Sequence, residues 1–154
     1  MPITRTAMVD DDGSGTTGTI LNNAWKQELY NQIDTLVGPV QTWTPVDASG
    51  AGLTLGTAIG HYTKHGQMVF VTGYVAYPAT TNGALAKIGG LPFPAFTRAG
   101  LTPAYGANTS GAMMYFIDSG TTIINLLYAP TSAYIANLQV TGTTLMFSGC
   151  YLTN

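Results

Sequence analysis

Charge almost disappears from this chain after Asp47: the 107 residues from Ala48 to Asn154 carry only Lys64, Lys87, Arg98 and Asp118. Around them stand Thr, Gly, Tyr and short apolar runs, a composition that suits β-structure with covered faces. An ordinary soluble domain keeps about a quarter of its residues charged, whereas here the whole chain reaches 8%. A skin this neutral is best accounted for if much of it is buried against copies of itself. The first expectation is therefore an assembly component rather than an enzyme.

At 154 residues the chain is long enough for one core that buries roughly two thirds of the unfolded surface. The formal net charge is −2, and no stretch clusters Lys or Arg, so the counterion release that drives nucleic-acid binding is missing and neither DNA nor RNA is an expected partner. The single Cys150 permits no internal disulfide and no multi-cysteine zinc site. It falls in an alternating apolar run, where the expectation is a buried strand thiol. No window approaches the roughly 18 apolar residues of a membrane helix, and Met1-Pro2-Ile3-Thr4-Arg5 lacks the apolar core of a signal peptide. The chain is expected to be intracellular when made, with no membrane partner.

Three segments separate by composition. Residues 1–19 form a polar arm with Asp10-Asp11-Asp12 and Gly13-Ser14-Gly15-Thr16-Thr17-Gly18, too rich in Gly and Thr to order without a surface to lie on. Over 20–38 the apolar residues Leu21, Trp25, Leu29, Ile33 and Leu36 recur at helical spacing, Thr19 or Asn22 can cap the start, and Gly38-Pro39 ends it. A one-sided stripe of this length predicts a short stalk packed on the head, on sister helices or on a host surface. Over 39–154 the period becomes two. Strands are expected near Gln41–Val46, Leu53–Leu55, Met68–Tyr77, Ala84–Ile88, Gly100–Tyr105, Ala133–Leu138 and Thr143–Leu152, with Met113–Ile117 and Thr121–Tyr128 as a hairpin around Asp118-Ser119-Gly120. Both faces of Met68–Tyr77 are apolar, which predicts cover on both sides. The fold class is mainly β: a β-sandwich or jelly-roll head preceded by an extended arm and one α-helix.

Four patterns invite a chemical reading, and each meets an objection. Gly13-x-Gly15-x-x-Gly18 precedes the helix in dinucleotide-binding order, but Asp10-Asp11-Asp12 would repel a pyrophosphate and no further βα units follow, so no cofactor is expected. Asp10, Asp12, Ser14 and Gly15 match the first half of a calcium loop, yet position twelve is Leu21 rather than Glu, and a solvated acidic turn is the simpler reading. Asp118-Ser119-Gly120-Thr121-Thr122 matches an aspartic-protease consensus that a homodimer could complete. Asp-Ser-Gly is equally good turn chemistry. His61 and His65 would share a strand face and could begin a metal site, but no third ligand is apparent. With no base and acid selected for any Ser or Thr, catalysis has no positive support, and neither a metal nor a catalytic residue is expected.

The stretch His61-Tyr62-Thr63-Lys64-His65-Gly66-Gln67-Met68-Val69-Phe70-Val71-Thr72-Gly73-Tyr74-Val75, followed by Tyr77-Pro78, Thr80-Thr81-Asn82-Gly83, Ile88 and Gly90-Leu91-Pro92-Phe93-Pro94, resembles the β-head of tailed-bacteriophage virion proteins: tail fibres, head fibres and capsid decoration proteins. Thr4 to Gly13 and Asn23-Ala24-Trp25-Lys26 resemble the N-terminal attachment portions of such proteins. The resemblance covers residues 1 to about 94. It implies a homotrimer, assembled in the bacterial host cytoplasm and located on the virion, whose arm docks through Ile3, Arg5, Met8, Asp10, Asp11 and Asp12. Leu21, Trp25, Leu29, Ile33 and Leu36 would then line the helix and trimer interface, with the sandwiches around a threefold axis. One head without a shaft favours a cement or spike protein bound to the phage capsid. The alternative is a tail-fibre tip whose loops at Asn82-Gly83 and Asn108-Thr109-Ser110-Gly111, with exposed Tyr, contact a host surface glycan.

Overall fold

The computed structural model describes residues 23–36, 38–106, 112–129 and 131–154, with side chains described for all of these except 23–25, 35, 36, 105 and 106. The chain divides into two units, Met1–Gly38 and Pro39–Asn154. In the first, helix α1 spans Asn23–Leu36. Leu29 and Ile33 stand one turn apart on it, the former exposed and the latter half-buried, and exposed i,i+4 pairs support its polar side: Gln27 donates to Asn31 at 3.0 Å and Gln32 to Glu28 at 3.1 Å. The expected arm and Ile20–Asn22 lie outside the described residues.

Among the described residues the second unit is a curled, entirely antiparallel sheet of nine strands. These are β1 (Gln41–Trp43), β2 (Val46–Asp47), β3 (Ala58–His65), β4 (Met68–Ala76), β5 (Lys87–Gly89), β6 (Ala99–Gly106), β7 (Met113–Ile117), β8 (Ile124–Tyr128) and β9 (Thr144–Leu152), in the spatial order β1-β3-β4-β9-β6-β7-β8-β5-β2. Strand β6 turns the corner between two layers. Its first residues, Ala99–Leu101, pair with β7, and its remainder pairs with β9, with Ala104 as an extra residue between Pro103 and Tyr105. A bulge of this kind bends a strand and sharpens its twist, so one strand belongs to both layers. At the far side the two edge strands, β1 and β2, are joined by only Thr44 and Pro45, and the curl therefore nearly closes. This is the expected mainly-β, sandwich-like fold.

The core lies between the layers, with Val69, Val75, Ile88, Ile117, Ile124, Leu126, Ile135, Val140 and Leu145 fully buried. One cross-strand row governs its centre. Trp43, Gly60, Gly73 and Phe147 are successive partners across β1, β3, β4 and β9. The indole of Trp43 lies over Gly60, and the ring of Phe147 lies over Gly73, so closely that a Cβ on either glycine would fall within the ring. The two rings are 6.3 Å apart, and Phe147 meets Tyr115 edge-on at 5.6 Å. The indole Nε1 donates to the carbonyl of Thr72 at 3.2 Å, which satisfies the one polar atom this row buries.

Three expectations change. Leu53–Leu55 forms no strand, because the Leu53 amide is taken by the Asp47 carboxylate at 2.9 Å instead of by a ladder, although both leucines still pack on the core. Ala133–Leu138 makes only isolated bridges at Tyr134 and Ala136 before turning into a 3₁₀ segment, Asn137–Val140. Strand β3 was not among the expected strands, since Gly60, Lys64 and two His obscure its alternation. The β7–β8 hairpin forms as expected, with β8 starting later, at Ile124.

The glycine row yields a prediction. Gly60→Ala and Gly73→Ala should each cost about 2–3 kcal/mol through overpacking, whereas Gly83→Ala, whose added methyl meets nothing within 4 Å, should stay within about 0.5 kcal/mol. Urea unfolding of the three variants measures the difference.

Candidate interaction face

The inward row of glycines fixes what points outward. With Val69, Val71, Gly73 and Val75 of β4 buried, the alternate residues Met68, Phe70, Thr72, Tyr74 and Ala76 form the outward side. Register extends that face across four strands: His65–Met68–Leu152, Thr63–Phe70–Cys150, Thr42–His61–Thr72–Ser148 and Ile59–Tyr74–Met146 are its rows. Ile59 and Phe70 are each 48% exposed and Leu152 is 39% exposed. The sequence expectation that β4 is covered on both sides is thus met within the second unit on one side only.

No Asp, Glu, Lys or Arg occurs in these rows; their ionisable groups are His61, His65, Tyr74 and Cys150. The small side chains of Thr72, Ser148 and Thr63 floor an open groove of about 510 Å³, with Val40, Phe70 and Cys150 also lining it. Cys150, expected to be buried, is exposed. Its run alternates as predicted, but Leu145, Phe147 and Tyr151 take the inward positions, and that parity sends Cys150 out. His65 stacks edge-on against Phe70 at 6.0 Å.

The charges of the head gather elsewhere. Phe116, Asn125 and Lys87 share a row on the second layer, with Phe116 and Lys87 half-buried and Asn125 buried, and beside them Arg98 holds Asp118 through Nε at 3.0 Å and Nη2 at 2.8 Å, with Asn125 Nδ2 at 3.4 Å. Lys64 points to the inward side of β3 and lies over the Phe93 ring at 4.7 Å. Arg98 also covers Phe116 at 5.4 Å, and Phe116 packs against the exposed Tyr134.

The remaining expected sites are placed as follows. Asp118 opens a turn in which the Thr121 amide and hydroxyl donate to its carbonyl at 3.2 and 2.9 Å and Gly120 adopts φ +75°; its carboxylate is occupied by Arg98. His61 and His65 are on one face of β3, but four residues along a strand span about 13 Å, too far for one metal ion. Among the described residues no three His, Cys, Asp or Glu group to hold a metal. Ile3, Arg5, Met8, Asp10, Asp11, Asp12, Leu21 and Asn108 lie outside the described residues. Of the helix set, Leu29 and Ile33 are described with their side chains, Trp25 and Leu36 by backbone alone.

Asn82 turns inward into a polar staple for which residue spacing carries no signal. Its Oδ1 accepts from the Ala84 amide at 2.8 Å and from Asn137 Nδ2 at 3.1 Å. Asn137, fully buried, also donates to Ser49 Oγ at 3.1 Å and accepts from the Tyr77 hydroxyl at 2.5 Å. Asp47 anchors the same loop, accepting from the amides of Ser49 and Leu53, both at 2.9 Å. Partial burial works against its ionisation, but the hydrogen bonds from Ser49, Leu53 and Gly52 outweigh it and hold the carboxyl below its usual range.

Comparison of the chain with protein-family models, with curated proteins and with solved structures returns no match.

A carboxyl held below its unfolded value stabilises the fold above the unfolded pKa, and that contribution is lost as pH falls through the folded one. Asp47→Asn should therefore cost on the order of 1 kcal/mol near pH 7, with the deficit against the parent protein shrinking as pH falls below the unfolded carboxyl value of about 4. Urea titrations from pH 7 to pH 2.5 measure it.

Proposed function

We propose that this chain is a non-enzymatic structural protein of a tailed-bacteriophage virion, a homotrimer that decorates the capsid and is held there by its N-terminal arm. The observation that carries the reading is the uncharged outward face of β1, β3, β4 and β9. A contiguous, partly apolar surface larger than a few hundred Å² marks a contact site in a soluble protein. The residues that resemble phage virion heads most continuously, His61–Val75, make up most of the β3–β4 hairpin at the middle of that face. The opposite layer, which holds Lys87, Arg98 and Asp118, supplies the charged surface that keeps such an assembly in solution.

A second reading, a receptor-binding tip, is favoured by one feature. The exposed Tyr134 packs against the half-buried Phe116 beside Arg98 and Asp118, a mixture of ring faces and planar polar groups on which sugars stack and bond.

Light scattering of the intact chain at low micromolar concentration should give the mass of three chains, and the protein should bind purified capsids that lack it. A monomer overturns the self-assembly premise. A trimer that ignores capsids but labels intact host cells, and loses that labelling in Tyr134→Ala, moves the assignment to the tip.

A further inference from the structure

Resting on the reading just given, the inference here concerns which surface the copies share. We infer that the outward face of the first layer is the contact between copies of this chain, turned toward the shared axis so that one part of it meets a different part of the same face on the next copy, with Phe70 at its centre.

Charge complementarity names the occupant. The rows through Met68, Phe70, Thr72 and Tyr74 carry no Asp, Glu, Lys or Arg. A partner with an ordinary charged surface would have to strip water from its own ions against this face and receive no counter-charge in return. A partner that is itself uncharged over a matching area avoids that cost, and this face is such a surface. Three of the four charges of the head beyond Asp47 lie at the other layer, where Arg98 and Asp118 pair with each other, and Lys64 is turned to the inward side of its strand over Phe93. The sidedness is what one expects when one layer meets copies and the other meets water.

The area is of the right order. Three strands of eight or nine residues, about 30 Å long at about 4.8 Å spacing, with the three-residue β1 beside them, present on the order of 500 Å², against the roughly 800 Å² per partner of a standard stable interface. The relief is of the interlocking kind: Phe70 stands 48% exposed beside a groove floored by Thr63, Thr72 and Ser148, so each copy offers an aromatic knob next to a hollow of small side chains. Three such faces turned toward one axis close the assembly and leave no face uncovered.

The test is the self-association of charged variants of the full chain. Phe70→Asp and Thr72→Arg both alter outward, exposed positions and should leave the far-ultraviolet circular dichroism spectrum of the parent protein unchanged. Each should raise the concentration at which the assembly half-dissociates by about tenfold or more, read by sedimentation velocity over a dilution series. Leu138→Asp, equally exposed but on the 3₁₀ segment, should leave it unchanged. If either variant fails to fold, Ser148→Lys on the same row replaces it. An assembled parent whose Phe70→Asp and Thr72→Arg variants assemble equally well overturns this inference while the virion reading stands; a monomeric parent overturns the premise of both.

Discussion

Two glycines set the sidedness of this molecule. Strand β4 is apolar on both sides, with Val69, Val71 and Val75 on one and Met68, Phe70 and Tyr74 on the other, so burial of apolar area alone barely distinguishes its two registers. Gly73 breaks the tie. Only a residue without a side chain can lie beneath Phe147, and only Gly60 can lie beneath Trp43; because side chains alternate strictly along a strand, placing one row inward places every other residue of β3, β4 and β9. The core and the exposed face are thus two consequences of one steric constraint.

That constraint also explains why the uncovered face is so flat in chemistry. Phe147 and Trp43 lean over their glycines and fill the centre from the sides, and Tyr115 closes it from the other layer. The core is therefore complete without the larger outward residues of β4, which stay free to contact something else. At one end the Asp47, Ser49, Asn82 and Asn137 staple ties three connecting segments together through bonds that are all satisfied. The loops there serve the fold first, and the surface left for recognition is the sheet.

Much of the framework was legible in the sequence. Period-two alternation located β4, β7 and β9, turn chemistry located Asp118-Ser119-Gly120, and the loss of charge after Asp47 pointed to a surface that needs cover. Strand β3 escaped because Gly60 and Lys64, both on its inward side, look like loop residues until Trp43 and Phe93 are seen covering them. The inward turn of Asn82 escaped for a different reason. Its partners Ser49 and Asn137 are distant in sequence, and an Asn-Gly pair gives the same local signal whether its amide faces solvent or a buried network. Cys150 was misplaced because alternation reveals which residues share a face without revealing which face is inside.

If copies meet through the first layer, the outward face of β3, β4 and β9 is covered in the protein as it exists in solution. Hydroxyl-radical footprinting read by mass spectrometry measures this residue by residue. Met68, Phe70, Tyr74, Met146 and Cys150 should be oxidised several-fold more slowly than their exposure in a single chain dictates, while Met114 and Tyr134, exposed on the other layer, react at the rate their own exposure sets. Equal reactivity of both groups, unchanged on dilution, would mean that the neutral face meets only water and would contradict the account.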